Sequence, residues 1–247
     1  FDNFQKLEEV VLPEGLKAIK ASAFFSCYRL KKINVPTTLR TIGASVFSEP
    51  EFDSFSLKRV KKLGTMSFAG TKIKEVYLSK DCRSSSLVFW ECENLKKVTL
   101  EDGIKKISYG MFCDTALKTI DIPGSVFQIG EDAFADCKKL QKVTLHEGIK
   151  KVGKNAFYNT SLKEITIPST VTQLGKNAFR WESTEKSSLK KVVIRSKNIK
   201  KWGTMVFGAT RDDLVIYVPQ SKKAAYEKIL RSTNGLDFHA KIVGKNW

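Results

Sequence analysis

Residues 117–140 read LKTIDIPGSVFQIGEDAFADCKKL. Apolar residues alternate at the start of this stretch, a proline follows them, and two further apolar positions, a glycine, a phenylalanine and a cysteine complete it before the pattern begins again at Leu140. The same order of residues recurs along the chain at intervals of 21 to 27 residues. Recurrence at such an interval is typical of a solenoid, in which each unit is one turn of the coil.

Nine successive units follow the pattern. They begin at Leu7, Leu30, Phe52, Ile73, Leu95, Leu117, Leu140, Leu162 and Leu189. The third unit lacks the proline, and the fourth has serines at 84–86 where the second apolar position and its glycine should be. We therefore expect the curvature of the array to be irregular between about residues 50 and 90. The longer eighth unit carries an insertion at 180–188, which predicts a loop on one face.

Each unit predicts two short extended segments. The alternating apolar residues Ile120 and Ile122 predict a strand with one inward face, which Pro123 ends because it lacks a backbone donor. The second apolar pair, at 126 and 129, predicts another short segment. We interpret Gly130 as the place where that segment ends with a positive φ, which glycine adopts readily.

Phenylalanine occupies one position in every unit. These residues are Phe24, Phe47, Phe68, Phe89, Phe112, Phe134, Phe157, Phe179 and Phe207, and we expect them to stack as a ladder inside the coil. Cys27, Cys92 and Cys137 lie three residues after a ladder phenylalanine. Their separation and the absence of a C-x-x-C pair argue against disulfides and metal sites, so we expect buried free thiols.

The repeat pattern ends at Pro219. Residues 221–235 predict a helix of about 221–234 with Ser221 as the N-cap and Gly235 as the stop. We therefore predict two parts, a solenoid at 1–219 and a C-terminal cap at 220–247, because a solenoid end with an open apolar face requires a cap for solubility.

The repeat resembles the BspA-like, or Treponema-type, leucine-rich repeat, L-x-x-I-x-L-P-x-x-L-x-x-I-G-x-x-A-F-x-x-C-x-x-L. The resemblance covers roughly residues 7–219. It implies a right-handed α/β solenoid of about nine units of 21–27 residues, with short strands, irregular or short helical turns and a C-terminal helical cap. It also implies a secreted or surface-attached bacterial protein associated with adhesion, located outside the cell.

The motifs of common enzyme classes are missing from the sequence. There is no G-x-S-x-G, H-E-x-x-H, G-x-G-x-x-G or G-x-x-x-x-G-K, and of the two histidines we expect His146 to face solvent. Carboxylates such as those at 131–132 and 212–213 lie in predicted turns. A glycosidase needs two convergent carboxylates, and a sequence does not show convergence, so a polysaccharide-active enzyme stays an alternative, as does a structural spacer between surface domains. We predict no enzyme activity and no cofactor.

Positive charge is the most organised functional signal. The chain has 43 lysines and arginines against 26 acidic residues, a formal charge of +17, which favours acidic partners. Ten lysines follow the opening residue of a unit: Lys31, Lys32, Lys74, Lys96, Lys97, Lys118, Lys142, Lys163, Lys190 and Lys191. A second series lies between the two residues of the second apolar pair: Lys61, Lys62, Lys105, Lys106, Lys150, Lys151, Lys200 and Lys201.

Two interpretations of these lysines stay open. Repetition makes them a stripe that could follow a linear polyanion, whereas alternation with Glu75 and Glu164 favours a simple solvated surface. Aromatic residues do not alternate with the lysines as a stacking platform would require, which makes nucleic acid an unlikely partner. We take the first ten lysines as the candidate binding surface.

The function predicted from the sequence is a noncatalytic binding or adhesion module. Its partner would be a protein or an acidic polysaccharide of host matrix or cell wall. No apolar run approaches the roughly 18 residues of a membrane span, and we expect a monomer. Because residue 1 lies almost inside a repeat, we also expect that a targeting or domain segment preceded it.

Overall fold

The computed structural model describes residues 4–47, 49–182, 187–208, 213–233, 236 and 239–247. Within these ranges the chain is a parallel-strand β-solenoid of about ten turns with one short C-terminal helix, so the predicted leucine-rich-repeat fold is confirmed. We number the coils by the ladder phenylalanines, so that coil 1 contains Phe24 and coil 9 contains Phe207. Residues 183–186 of the insertion, Asp212 and Gly235 lie outside the described ranges.

The first apolar pair of each coil forms what we call the front strands. They are Glu9–Val10, Lys32–Ile33, Glu75–Leu78, Lys97–Leu100, Thr119–Ile122, Lys142–Leu145, Glu164–Ile167, Lys191–Ile194, Val215–Pro219 and Lys241–Lys245. Residues alternate between exposed and buried along Thr119–Ile122, because successive side chains of a strand point to opposite faces. All paired front strands run parallel to their neighbours.

The second apolar pair forms the flank strands. They are Ala18–Ile19, Thr41–Ile42, Lys62–Leu63, Arg83–Ser84, Lys106–Ile107, Gln128–Ile129, Lys151–Val152, Gln173–Leu174 and Lys201–Trp202. The first four form one parallel sheet and the last five form another. Ser84 and Ser108 stand at the break between the two sheets, where the Ser108 hydroxyl donates to the Ser84 carbonyl at 2.9 Å.

The phenylalanine ladder is present in all nine coils. Neighbouring ring centroids lie 5.2 to 5.7 Å apart from Phe24 to Phe207. The rings of Phe134 and Phe157 are 5.2 Å apart and 2° from parallel. Such contacts add packing energy to the burial of the rings, so the ladder forms the spine of the core.

Coil 3 has no front strand. Residues 52–57 run irregularly, and Phe52 and Phe55 pack against Phe47, with centroids 5.1 and 5.4 Å from its ring. A backbone bond from Lys74 N to Asp53 O, at 3.0 Å, joins this segment to coil 4. The missing front strand and the break between the flank strands therefore fall in or beside the region that the sequence marked as degenerate, whereas the front strands also stop pairing between Lys97–Leu100 and Thr119–Ile122 and between Lys142–Leu145 and Glu164–Ile167.

The repeated glycine has a different role from the one expected. Gly130, Gly153 and Gly175 are not among the residues with positive φ, so that interpretation was wrong. A Cβ atom on Gly153 would lie 2.6 Å from the backbone of Gly130 in the preceding coil, and the other two face their preceding coils as closely. Glycine is needed because the coils approach there. Positive φ occurs two residues later, at Asp132 and Asn155 among others.

The C-terminal helix spans Lys223–Thr233 and follows a turn of 3-10 helix at Gln220–Lys222. Pro219 holds the N-cap position of that turn, so Ser221 lies inside it and the predicted N-cap was wrong. The buried Tyr226 fixes the helix to coil 9, since its hydroxyl donates to the carbonyl of Ser196 at 3.1 Å and accepts from the amide of Ile199 at 3.2 Å.

The front sheet continues beyond the last residue of the repeat pattern. Lys241–Lys245 pairs in parallel with Val215–Pro219 over five residues, so the helix connects two neighbouring strands. The sequence pattern gave no indication of this strand. The division of the chain at residue 219 stays a prediction.

Candidate functional site

All ten lysines of the predicted surface are exposed on the front of the solenoid. Half of them form ion pairs with a carboxylate of the preceding coil. The pairs are Lys31–Glu8 (3.4 Å), Lys32–Glu9 (3.8 Å), Lys74–Asp53 (2.6 Å), Lys97–Glu75 (3.2 Å) and Lys191–Glu164 (3.5 Å). Exposed pairs contribute little stability, about 0 to 1 kcal/mol each, but they neutralise these five lysines of the front face.

The second lysine series has a different environment. In the flank sheet Lys106, Gln128, Lys151, Gln173 and Lys201 are successive cross-strand partners, and we call them the central row. The residues before them, Lys105, Phe127, Lys150, Thr172 and Lys200, form the outer row. Together the two rows are the flank face. Neither row contains a carboxylate, and its lysines have no ion pair within the described part of the chain.

A shallow trough runs beside the central row in coils 6 to 9. Its volume is about 400 Å³. Gly153, Gly175 and Gly203 line it, because the close approach of the coils leaves no room for side chains there. Lys154, Lys176 and Glu131 also line it, and together they add one net positive charge beside the flank face. A hydrogen bond and charge attraction from Glu131, 2.7 Å away, raise the pKa of Lys154.

A two-coil period underlies this arrangement. Residues 95–107, LKKVTLEDGIKKI, correspond to residues 140–152, LQKVTLHEGIKKV, which begin 45 residues later. Lysine pairs therefore recur in coils 5, 7 and 9, with glutamine in coils 6 and 8. A single unit does not show this period, because it appears only when every second unit is compared over its full length.

The cysteines three residues after the ladder phenylalanines are buried free thiols. The Sγ atom of Cys137 donates to the carbonyl of Phe112 at 3.0 Å and lies 3.2 Å from the hydroxyl of Thr115, the equivalent residue of the preceding coil. Burial raises the pKa of Cys137 to about 11 and that of Cys92 to about 12. All five cysteines are free, as predicted, and these two are protonated at neutral pH.

An acidic edge lies at the turns after the phenylalanine ladder. It consists of Glu49, Glu51, Glu91, Glu93 and Asp114, and a cleft of about 520 Å³ lies among the four glutamates. Partial burial, followed by repulsion from Asp114, Glu49 and Glu93, raises the pKa of Glu91. The sequence did not reveal this edge because its members come from different coils. Any hydrolase hypothesis for this chain would begin from these carboxylates.

Other expected features lie at the surface. His146 is exposed, and its Nε2 atom lies 2.7 Å from Oδ1 of Asp121.

Within the described ranges, no group of three or more histidine, cysteine or acidic side chains is arranged to hold a metal ion. No helix there has the length and apolar character of a membrane span.

Comparisons with known proteins agree with the architecture. A family model for the BspA type leucine rich repeat region matches six copies, in residues 1–87, 85–186 and 106–236. A crystal structure of a leucine-rich repeat protein from Bacteroides ovatus is similar, with a TM-score of 0.79 and 26% identity over 88% of this chain. This chain spans 56% of that protein's length.

Two further solved structures are more distant. A leucine-rich repeat protein from Eubacterium ventriosum has a TM-score of 0.51 and 20% identity, covering 87% of this chain and 68% of its own. A leucine rich cell surface protein from Faecalibacterium prausnitzii has a TM-score of 0.48 and 20% identity, covering 98% and 80%. None of the curated proteins compared with the chain matches it.

Proposed function

The chain belongs to the BspA type leucine rich repeat family, and from that premise we propose a noncatalytic binding module whose flank face holds an acidic partner. The observation that carries this proposal is the absence of carboxylates from both rows of the flank face. Six lysines there stand without an ion pair in the described part of the chain: Lys105, Lys106, Lys150, Lys151, Lys200 and Lys201. Lysines held this close repel one another, and an acidic ligand relieves that repulsion.

The front lysines predicted from the sequence remain a weaker candidate surface. Carboxylates of preceding coils already neutralise five of the ten. A stripe of alternating charge presents a smaller potential to an approaching polyanion than a stripe of one sign. If the excess positive charge of the chain, +17, serves to bind an acidic partner, the flank face is therefore the better candidate surface.

A location outside the cell is part of the proposal. It is supported by the association of this repeat family with secreted and surface-attached proteins. A solenoid suits such a role because its repeated coils make an extended surface whose residues recur at a fixed height.

Two matched variants test the proposal on a heparin column with a salt gradient. The flank variant is Lys105→Ser, Lys106→Ser, Lys150→Ser and Lys151→Ser, and the front variant is Lys96→Ser, Lys97→Ser, Lys118→Ser and Lys142→Ser. Each removes four positive charges, so a difference between them reports position and not net charge. Exposed charges are screened beyond about 8 Å at physiological ionic strength, so binding depends on the charges next to the ligand and not on the net charge. We therefore expect the flank variant to elute at clearly lower salt than the front variant.

Melting temperatures provide the folding control, since such surface substitutions shift stability by about 0.5 kcal/mol or less each. Equal loss of retention in both variants would mean that binding follows net charge alone, and retention of the flank variant at the parent's salt concentration would refute the proposal. Shortened polysaccharide chains in the eluate would instead favour the enzyme alternative.

A further inference from the structure

We infer that the flank face binds a linear polysaccharide with an acidic group on every second sugar, because the spacing of its lysines matches the spacing of those acidic groups. This inference rests on the proposed function and names its ligand. The deciding feature is the order of the central row, in which lysine and glutamine alternate across five parallel strands: Lys106, Gln128, Lys151, Gln173 and Lys201.

Strand pairing fixes the spacing of these lysines. Neighbouring strands of a sheet lie about 4.8 Å apart, so lysines on every second strand recur at about 9.6 Å. The lysine side chains are flexible, but their Cα atoms are held in register by the backbone pairing of the flank strands from Lys106 to Lys201. A ligand chain that runs along the solenoid axis therefore meets an ammonium group at a regular interval.

The residues between the lysines are neutral and polar. Gln128 and Gln173 are half-buried, and each amide both donates and accepts hydrogen bonds. Such groups suit the hydroxyl or acetamido groups of an uncharged sugar better than a second acid. The row therefore alternates a site for an anion with a site for a neutral polar unit.

The outer row repeats in the same phase. Lys105, Lys150 and Lys200 lie in the coils that carry the central lysines, whereas Phe127 and Thr172 lie in the glutamine coils. The ring of Phe127 is 47% exposed, although the ladder phenylalanines are buried. An exposed ring between two lysine pairs offers a flat apolar surface to the C–H face of the neutral sugar.

Other polyanions fit this spacing less well. Duplex DNA presents a charge about every 1.7 Å along its axis, far denser than the row. An extended acidic peptide presents side chains on one face about every 6.6 Å, which falls out of register with the lysines after one step. A repeat of two linked pyranose sugars is comparable in length with two strand spacings, so its acidic group stays in step.

A charge-neutral exchange separates spacing from total charge. Lys151 and Gln173 are cross-strand partners, and Lys151→Gln with Gln173→Lys keeps the composition while it destroys the alternation. The matched control exchanges front-strand partners, Thr119→Lys with Lys142→Thr. Binding of the whole chain is measured by calorimetry with hyaluronan oligosaccharides, which carry one carboxylate per two sugars, and with oligogalacturonate of equal carboxylate number, which carries one per sugar.

We expect the parent to prefer hyaluronan and the flank exchange to weaken that binding by about fivefold, the effect of about one exposed charge contact. The front exchange should leave it unchanged. Equal affinity for both polymers, or hyaluronan binding that survives the flank exchange, would overturn the inference while the heparin result could still stand. Polyglutamate binding as tight as hyaluronan binding would overturn the assignment to a polysaccharide.

If the flank exchange lowers the melting temperature, the second exchange of partners, Lys106→Gln with Gln128→Lys, replaces it. It disturbs the same alternation at another coil, so it must weaken hyaluronan binding by a similar factor for the inference to hold. Absence of binding to hyaluronan, oligogalacturonate and heparin alike would refute both the inference and the proposed function.

Discussion

At the scale of single residues, position in the coil decides what a side chain does. Phe127 and Phe134 are seven residues apart in one unit, yet the first is exposed and the second is fully buried in the ladder. Glu91 and Glu101 are both glutamates near turns, yet their pKa values shift in opposite directions. Such pairs provide internal controls for substitutions.

Phe134→Ala should lower the free energy of unfolding by about 3 to 5 kcal/mol, because it leaves a cavity between two stacked rings. Phe127→Ala is the control, and we expect a change below about 1 kcal/mol because that ring is half exposed. Chemical denaturation measures both values. A loss below about 1 kcal/mol for Phe134→Ala would show that the ladder does not support the core.

Glu91→Gln should stabilise the protein at neutral pH. The pKa of this carboxyl is raised in the folded state above its ordinary value of 4.5, so its contribution to stability is present at low pH and is lost as pH rises through the raised pKa. The difference between variant and parent should therefore grow with pH and disappear well below pH 4.5.

Glu101→Gln should show the opposite sign. A backbone hydrogen bond from Lys80 lowers the pKa of Glu101, so its ionised form supports the fold above pH 4.5 and this support is lost on acidification. Thermal unfolding of both variants from pH 3 to pH 7 measures the two trends. If Glu91→Gln is no more stable than the parent at pH 7, the carboxylates of the acidic edge do not destabilise the fold by repelling one another.

At the scale of elements, the last helix is held by one buried hydroxyl as well as by apolar contacts. Tyr226 lies edge-on to Trp202, with centroids 5.1 Å apart, and Leu230 is fully buried one turn later. The hydroxyl of Tyr226 satisfies two backbone groups of coil 9. The position of the helix therefore depends in part on this contact, whereas the strand Lys241–Lys245 is held by its own pairing with Val215–Pro219.

Tyr226→Phe should destabilise the protein by about 1 to 3 kcal/mol, because it leaves the buried amide of Ile199 without its acceptor. Tyr28→Phe is the control, since that exposed hydroxyl contacts only the hydroxyl of Ser26, at 3.1 Å, in the bonds described. Hydrogen exchange should also accelerate at Ile199. Parent-like exchange there, together with unchanged unfolding, would contradict the anchoring role.

At the scale of the whole molecule, the sequence was most informative where one unit repeats itself. The alternation of Ile120 and Ile122 and the recurrence of Phe134 predicted the coil, because both are local patterns that each unit contains in full. The role of Gly130 was missed, because it depends on the distance to the preceding coil and not on the torsion of one residue.

The functional surface was predicted less completely than the coil. Lysines were identified correctly as exposed, but their pairing with Glu75 or Glu164 depends on contacts between coils, which a single unit does not contain. The acidic edge was missed for the same reason. The strand Lys241–Lys245 escaped notice because it is not part of a repeat unit and is recognised only by its pairing, which in the described part of the chain is with Val215–Pro219.

Coil 3 is open on one side of the array only. It lacks its front strand, yet on the ladder side the backbone bonds continue through it, from Phe47 N to Ser67 O at 3.1 Å and from Phe68 N to Val88 O at 3.0 Å. Bending of the first coils should therefore be easiest about the ladder side of coil 3, because the bonds there act as the fixed edge while the front side has no strand to hold it closed.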